Sequence, residues 1–162
     1  MKTHHETHSH QAASTNTMYL KLLVMSVLSF IAMYILMYSM VDKFSNVVPN
    51  VNQFYMAGLM AMPMVLIELV VMGAMYKNKK LNLGLLSITL VAGVLFFMGI
   101  RQQAFVGDKQ FLKSMIPHHA AAILMVEEAD LSDPDVKKLA NDIITAQKAE
   151  IAQMEAKLKE LE

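Results

Sequence analysis

The sequence predicts an all-α protein in which three transmembrane helices precede an extramembrane antiparallel helical hairpin. Two observations support this fold class. Three apolar runs long enough to cross a bilayer lie between residues 18 and 101, separated by short polar loops. The remainder, residues 102–162, is amphipathic and rich in Ala, Leu, Lys and Glu, which favour helix.

Composition narrows the possible functions. Hydrophobic residues make up 55% of the 162 residues, which is too many for an ordinary soluble domain of this size. The formal net charge is zero, so we expect no nucleic-acid partner. The absence of cysteine excludes disulfides and thiolate metal sites, whereas the 16 methionines supply many soft thioether groups. Most of these methionines could equally serve as flexible packing residues.

The N-terminal segment, residues 1–17, is polar and contains four closely spaced histidines: His4, His5, His8 and His10. We expect a disordered tail that could collect metal ions weakly. The apolar run that follows is too long for a signal peptide.

Residues 18–101 form the predicted three-helix transmembrane anchor, with apolar runs at 18–41, 53–76 and 81–100. A bilayer is therefore the expected environment. The basic loop that contains Lys77, Lys79 and Lys80 should remain in the cytoplasm by the positive-inside rule. The N-terminus is then cytoplasmic and residues 102–162 lie in the periplasm or outside the cell. Such a topology is typical of a bacterial inner (plasma) membrane protein.

Residues 102–162 form the predicted hairpin, with helices over 108–129 and 134–160. Asp133 is suited to be an N-cap, and Pro134 fits the first helical position. A hairpin of this size buries too little apolar surface to be stable alone. We therefore expect a second copy to complete a four-helix bundle, which makes the protein a homodimer or a higher homo-oligomer.

The first hairpin helix carries the only histidines outside the tail. Helical spacing puts Met115, His118 and Met125 on one face, with His119 at its edge and Asp108 nearby. Gln147 and Glu150 interrupt the apolar stripe of the second helix at the same level, so they could lie close to a metal site. Thioether and imidazole donors without thiolate favour copper, and Cu(I) in particular. The alternative is that both histidines and the methionines only pack. Pro117 either kinks a continuous helix or starts a new one.

No acyl-transfer set and no Glu-x-x-His pair of the di-iron type occurs in residues 101–162, so we expect no enzyme activity. Glu68, in the second apolar run, is a candidate intramembrane site because a carboxyl group is costly there. The protein could therefore be a small transporter that uses Glu68 and the membrane methionines. A third possibility is a structural protein whose hairpin merely oligomerises.

The stretch from Asp108 through Met-Ile-Pro-His-His to Met154 resembles the family catalogued as domain of unknown function 305. This resemblance implies a ferritin-like helical fold, here as half a bundle. It also implies copper as the cofactor, because better-described members are periplasmic or secreted copper-binding proteins linked to copper tolerance. Carried over by position, the implied metal ligands are Met115, His118, His119, Met125 and Met154. Many members carry two copies of the motif and are soluble, whereas this chain has one copy and three apolar runs.

Overall fold

The computed structural model describes the backbone of residues 3–161 and the side chains of residues 16–161. The chain is all-α, as predicted. Its helices, in order, are α1 (Thr3–Leu36), α2 (Val51–Val71), α3 (Lys79–Gln102), α4 (Asp108–Glu127) and α5 (Pro134–Glu160), with short 3₁₀ turns at Met37–Met40 and Phe44–Asn46.

Three segments are long and apolar enough to cross a membrane: Asn16–Met40, Val51–Val71 and Lys79–Gln102. The structure therefore has helices of sufficient length and apolar character at all three predicted positions. Helix α1 includes the backbone of residues 3–17, where we had expected a disordered tail. The side chains of residues 1–15 lie outside the described part of the chain, so weak metal binding by the His-rich tail stays a prediction.

The chain divides into two compact units. The first comprises the residues up to Met33 together with Tyr55–Arg101, and the second comprises Tyr34–Phe54 together with Gln102–Glu162. The segment Tyr34–Phe54, which we had assigned to the anchor, thus belongs with the hairpin.

Close helix packing characterises the first unit. A Cβ atom added to Gly58 of α2 would lie 2.5 Å from the Phe96 ring of α3, so only glycine fits there without a shift of the ring. A small buried cluster forms nearby from Leu22, Val65, Leu69 and Tyr76. The first unit is therefore held by tight contacts on the inner side of its helices, while most apolar side chains on their outer sides are exposed.

In the second unit, α4 and α5 pack side by side as the predicted hairpin. The Asp133 side chain caps α5 by accepting hydrogen bonds from the backbone N–H groups of Asp135 and Val136 at 2.9 and 3.0 Å. Helix α4 continues through Pro117, which resolves the two alternatives for that proline. The buried core consists of residues from both helices: Ile116, Ala120, Ile123, Ile151 and Met154.

The segment between α1 and α2 covers part of this core. Val41 and Val48 pack against the buried hairpin residues. Asn46 is fully buried and donates a hydrogen bond to Asp42 at 2.7 Å. We had expected a solvated polar turn here, with a second copy covering the hairpin. The chain instead supplies some of that cover itself, because its valines lie between the polar residues of the loop.

Hydrogen bonds fix the start of α2 to α4. The Asn50 side chain accepts from the backbone N–H of Gln53 at 2.8 Å, as an N-cap does. The Gln110 side chain accepts from the backbone N–H of Val51 at 3.0 Å. Asn52 donates to the Ser114 hydroxyl at 3.2 Å. Two helices of the second unit, α4 and the start of α2, are thereby joined by polar contacts beside the apolar ones.

Candidate functional site

The apolar stripe of α4 marks the face of that helix that packs against α5, and therefore shows which histidine lies on that face. Its buried or half-buried members, Leu112, Ile116, Ala120 and Ile123, recur at helical spacing. Around the axis of α4, at 100° per residue, the angular position of His119 is about −60° from Ile116 and that of His118 is about −160°. His119 is accordingly only 8% exposed, whereas His118 is exposed. We had placed His119 at the edge of the site because the angles were counted from Met115 and not from the centre of the apolar stripe.

Both ring nitrogens of His119 have partners. Nδ1 lies 2.8 Å from the backbone oxygen of Met115, and Nε2 lies 2.7 Å from Oε2 of Glu150 on α5. A carbonyl oxygen only accepts, so Nδ1 carries a hydrogen and donates it. Nε2 of a neutral imidazole and an ionised carboxylate both offer electron pairs, so a cation, either a proton or a metal ion, is needed between them.

Two thioethers lie in the same region of the hairpin. Met154 of α5 belongs to the buried core, and Met115 of α4 packs against that core one helical turn before His119. The second unit thus brings together Met115, His119, Glu150 and Met154. Metal-binding histidines commonly donate their second ring N–H to a backbone carbonyl, as His119 does here. The same region of the hairpin therefore contains one imidazole, one carboxylate and two thioethers.

The remaining predicted residues lie elsewhere on the hairpin. Met125 is 59% exposed and, being seven residues from His118, shares its outward face. The rings of His118 and His119 are 5.9 Å apart between centroids. Asp108 is exposed in the first turn of α4. The Oε1 atom of Gln147 is buried and has no hydrogen-bond partner within the described residues, so it could accept one.

No group of three or more His, Asp or Glu side chains that could hold a metal ion occurs among residues 16–161.

Glu68 lies in the last turn of α2, because that helix ends at Val71, earlier than the apolar run suggested. Its carboxyl group accepts a hydrogen bond from the hydroxyl group of Tyr76 at 3.2 Å. Sequence reasoning missed Tyr76. Its position directly before the basic loop, as a polar aromatic residue at the end of an apolar run, was the available signal.

Two comparisons with known proteins found a similarity to this chain. Residues 99–158, which contain α4 and most of α5, match the model of the domain of unknown function DUF305. The chain is also similar to the uncharacterized protein L153 of Acanthamoeba polyphaga mimivirus, with 35% identity over 145 residues that cover 86% of this chain and 91% of that protein. No solved structure matches it. The helical hairpin and these similarities together show that the chain belongs to the DUF305 family.

Proposed function

We propose that this protein is a membrane-anchored copper-binding protein whose hairpin holds Cu(I) through Met115, His119 and Met154. One observation carries the proposal: His119 is buried between α4 and α5 with Nδ1 bonded to a carbonyl oxygen, which leaves Nε2 as the electron-pair donor. Thioether and imidazole donors suit Cu(I) better than they suit zinc, calcium or magnesium. This is a binding function and not an enzyme activity.

Other hairpin residues have supporting roles in this proposal. Glu150 orients His119, and its negative charge compensates the positive charge of a bound monovalent cation. Because the Glu150 side chain is 52% exposed, it can also turn towards solvent when Nε2 of His119 binds the metal. His118 and Met125, on the outward face, would make first contact with copper from solution or from a second copy of the chain. Gln147 supplies a buried oxygen near the seam between α4 and α5.

The site follows the third apolar helix, so its side of the membrane depends on the topology. Lys77, Lys79 and Lys80 favour a cytoplasmic loop between α2 and α3. The hairpin then lies on the periplasmic or extracellular side of a bacterial plasma membrane, where it would act in copper handling or tolerance. The chain lacks cysteine, so single cysteines at Ser132 and at Asn78 can report the topology. An impermeant maleimide added to intact cells should label Ser132→Cys and not Asn78→Cys; the reverse pattern would contradict this orientation.

The copper site is tested by a Cu(I) competition titration with a chromogenic chelator, using the full chain in detergent because residues 34–54 are part of the hairpin core. Two variants should each lower the affinity for one equivalent of Cu(I) at least tenfold, about 1.4 kcal/mol. The first is His119→Ala, and the second combines Met115→Leu with Met154→Leu. Met98→Leu, at an exposed methionine of α3, is the control and should bind as the unaltered protein does. Unchanged affinity in both hairpin variants would contradict the site.

A second candidate function is purely structural. Because both ring nitrogens of His119 already have partners within the chain, a protonated His119 would pin α4 to α5 through Glu150 without any metal. In that case the same titration finds no hairpin equivalent, while His119→Ala still destabilises the hairpin. The protein would then be a membrane-anchored interaction module.

A further inference from the structure

A second set of soft donors lies in the first unit, far along the sequence from the hairpin. A cavity of about 250 Å³ between the membrane part of α1 and the end of α2 with the turn that follows it is lined by four methionines: Met18, Met25, Met72 and Met75. Two come from each segment, so the cavity exists only when these segments pack together. Four thioethers around one space form a donor set that soft cations prefer.

The same cavity contains one carboxyl group that is held in position. Glu68 lines it and accepts a hydrogen bond from the Tyr76 hydroxyl group at 3.2 Å. Tyr76 is buried and is itself fixed, because its ring lies 5.3 Å from the Tyr19 ring and its backbone oxygen accepts from the Asn82 side chain at 2.7 Å. The carboxyl group of Glu68 therefore lies at the wall of the cavity and is held there by a fixed tyrosine.

The negative charge of Glu68 indicates which kind of ion the cavity could bind. A carboxylate near the membrane needs a compensating positive charge. Lys21 also lines the cavity, but it is exposed, and no ion pair joins it to Glu68 in the part of the chain that the structure describes. Neutral thioethers and one carboxylate together balance a single positive charge. A monovalent soft cation satisfies both the sulfur atoms and the charge, whereas a divalent hard cation would lack oxygen ligands.

We propose that the cavity formed by Met18, Met25, Met72 and Met75 with Glu68 binds one soft monovalent cation, Cu(I) or Ag(I). The methionine sulfur atoms coordinate the ion and Glu68 neutralises it, while Tyr76 positions the carboxyl group. This site is separate from the hairpin site and does not depend on it. It gives the membrane part of the protein a metal-binding role of its own, close in sequence to Lys77 and to Lys79 and Lys80 in the first turn of α3.

The test counts silver ions bound by the full chain in detergent after equilibrium dialysis against Ag(I) in chloride-free buffer. The cavity variant changes Met18, Met25, Met72 and Met75 to Leu, which conserves volume and apolar character. The control variant makes the same four changes at exposed methionines of the first unit that do not line the cavity: Met56, Met60, Met64 and Met98. The cavity variant should lose one equivalent of silver, and the control variant should lose none.

Glu68→Gln provides a second measurement that does not depend on the folding of the fourfold variant. It keeps the size of the side chain and removes its charge, so it should weaken the same equivalent at least tenfold. A cavity variant that retains every silver equivalent, or a control variant that loses as many, would overturn the proposal, and so would unaltered affinity in Glu68→Gln. His119→Ala should leave this equivalent in place, which distinguishes failure here from failure of the hairpin site.

Discussion

Removing the valine contacts between the α1–α2 segment and the hairpin should loosen α4 and α5. Val41 and Val48 are half-buried against the core that contains Ile116 and Ile123. Each change to Ala deletes two carbon atoms that are only partly buried. The cost is therefore close to that of one buried methylene, about 1 kcal/mol per site. The sum of the two single costs is about 2 kcal/mol, and because both valines pack on the same cluster, the double variant should depart from that sum by a coupling energy of about 0.5 kcal/mol or more.

Hydrogen exchange followed by mass spectrometry, on the full chain in detergent, measures this loss locally. About 2 kcal/mol corresponds to roughly 30-fold faster exchange of the α4 and α5 amides. Val136→Ala is the matched control, since it makes the same change at an exposed position of α5 and should alter stability by less than about 0.5 kcal/mol. Exchange in the double variant no faster than in the control would refute the inclusion of residues 34–54 in the hairpin core.

Three further changes test other parts of the structure. Asp133→Ala removes the cap of α5 and should cost about 1 kcal/mol, seen as faster exchange in the first turn of that helix. Gly58→Ala would bring a methyl group against Phe96 and should cost about 1–3 kcal/mol in a thermal melt, whereas Gly84→Ala, with open space around it, should not destabilise. Burial, with a smaller contribution from the neighbouring glutamate, raises the pKa of the Tyr76 phenol above 10.0. The stability that this phenol contributes is therefore complete below about pH 10 and falls as the pH rises further, a loss that Tyr76→Phe should abolish.

Elements with a strong periodic or compositional signal were predictable. The three apolar runs and the Asp133-Pro134 helix start depend on local residues alone, and the structure has helices at each of them. The end of the second run was less predictable, because Met72–Met75 is apolar yet forms a turn beyond Val71. Apolar character reports burial or lipid contact and does not by itself report helix.

The arrangement of the hairpin core needed the structure. The role of Val41 and Val48 depends on contacts between segments that two membrane helices separate in the sequence, and no local pattern encodes such a pairing. The inward position of His119 could have been derived, because Leu112, Ile116, Ala120 and Ile123 mark the buried face of α4. The bond between His119 and Glu150 depends on the register of two helices, which the hairpin turn sets only approximately.

The composition of the second unit has a consequence for how the protein is made. Residues 34–54 are synthesised first, but their partners in α4 and α5 follow only after α2 and α3 have been translated. Val41 and Val48 therefore lack their native contacts until both later apolar helices and the hairpin have been synthesised. Such long-range pairing slows folding and leaves intermediates exposed. Formation of the hairpin core thus becomes a late step, because it requires that residues 34–54 and the hairpin meet after the two intervening apolar helices have been made.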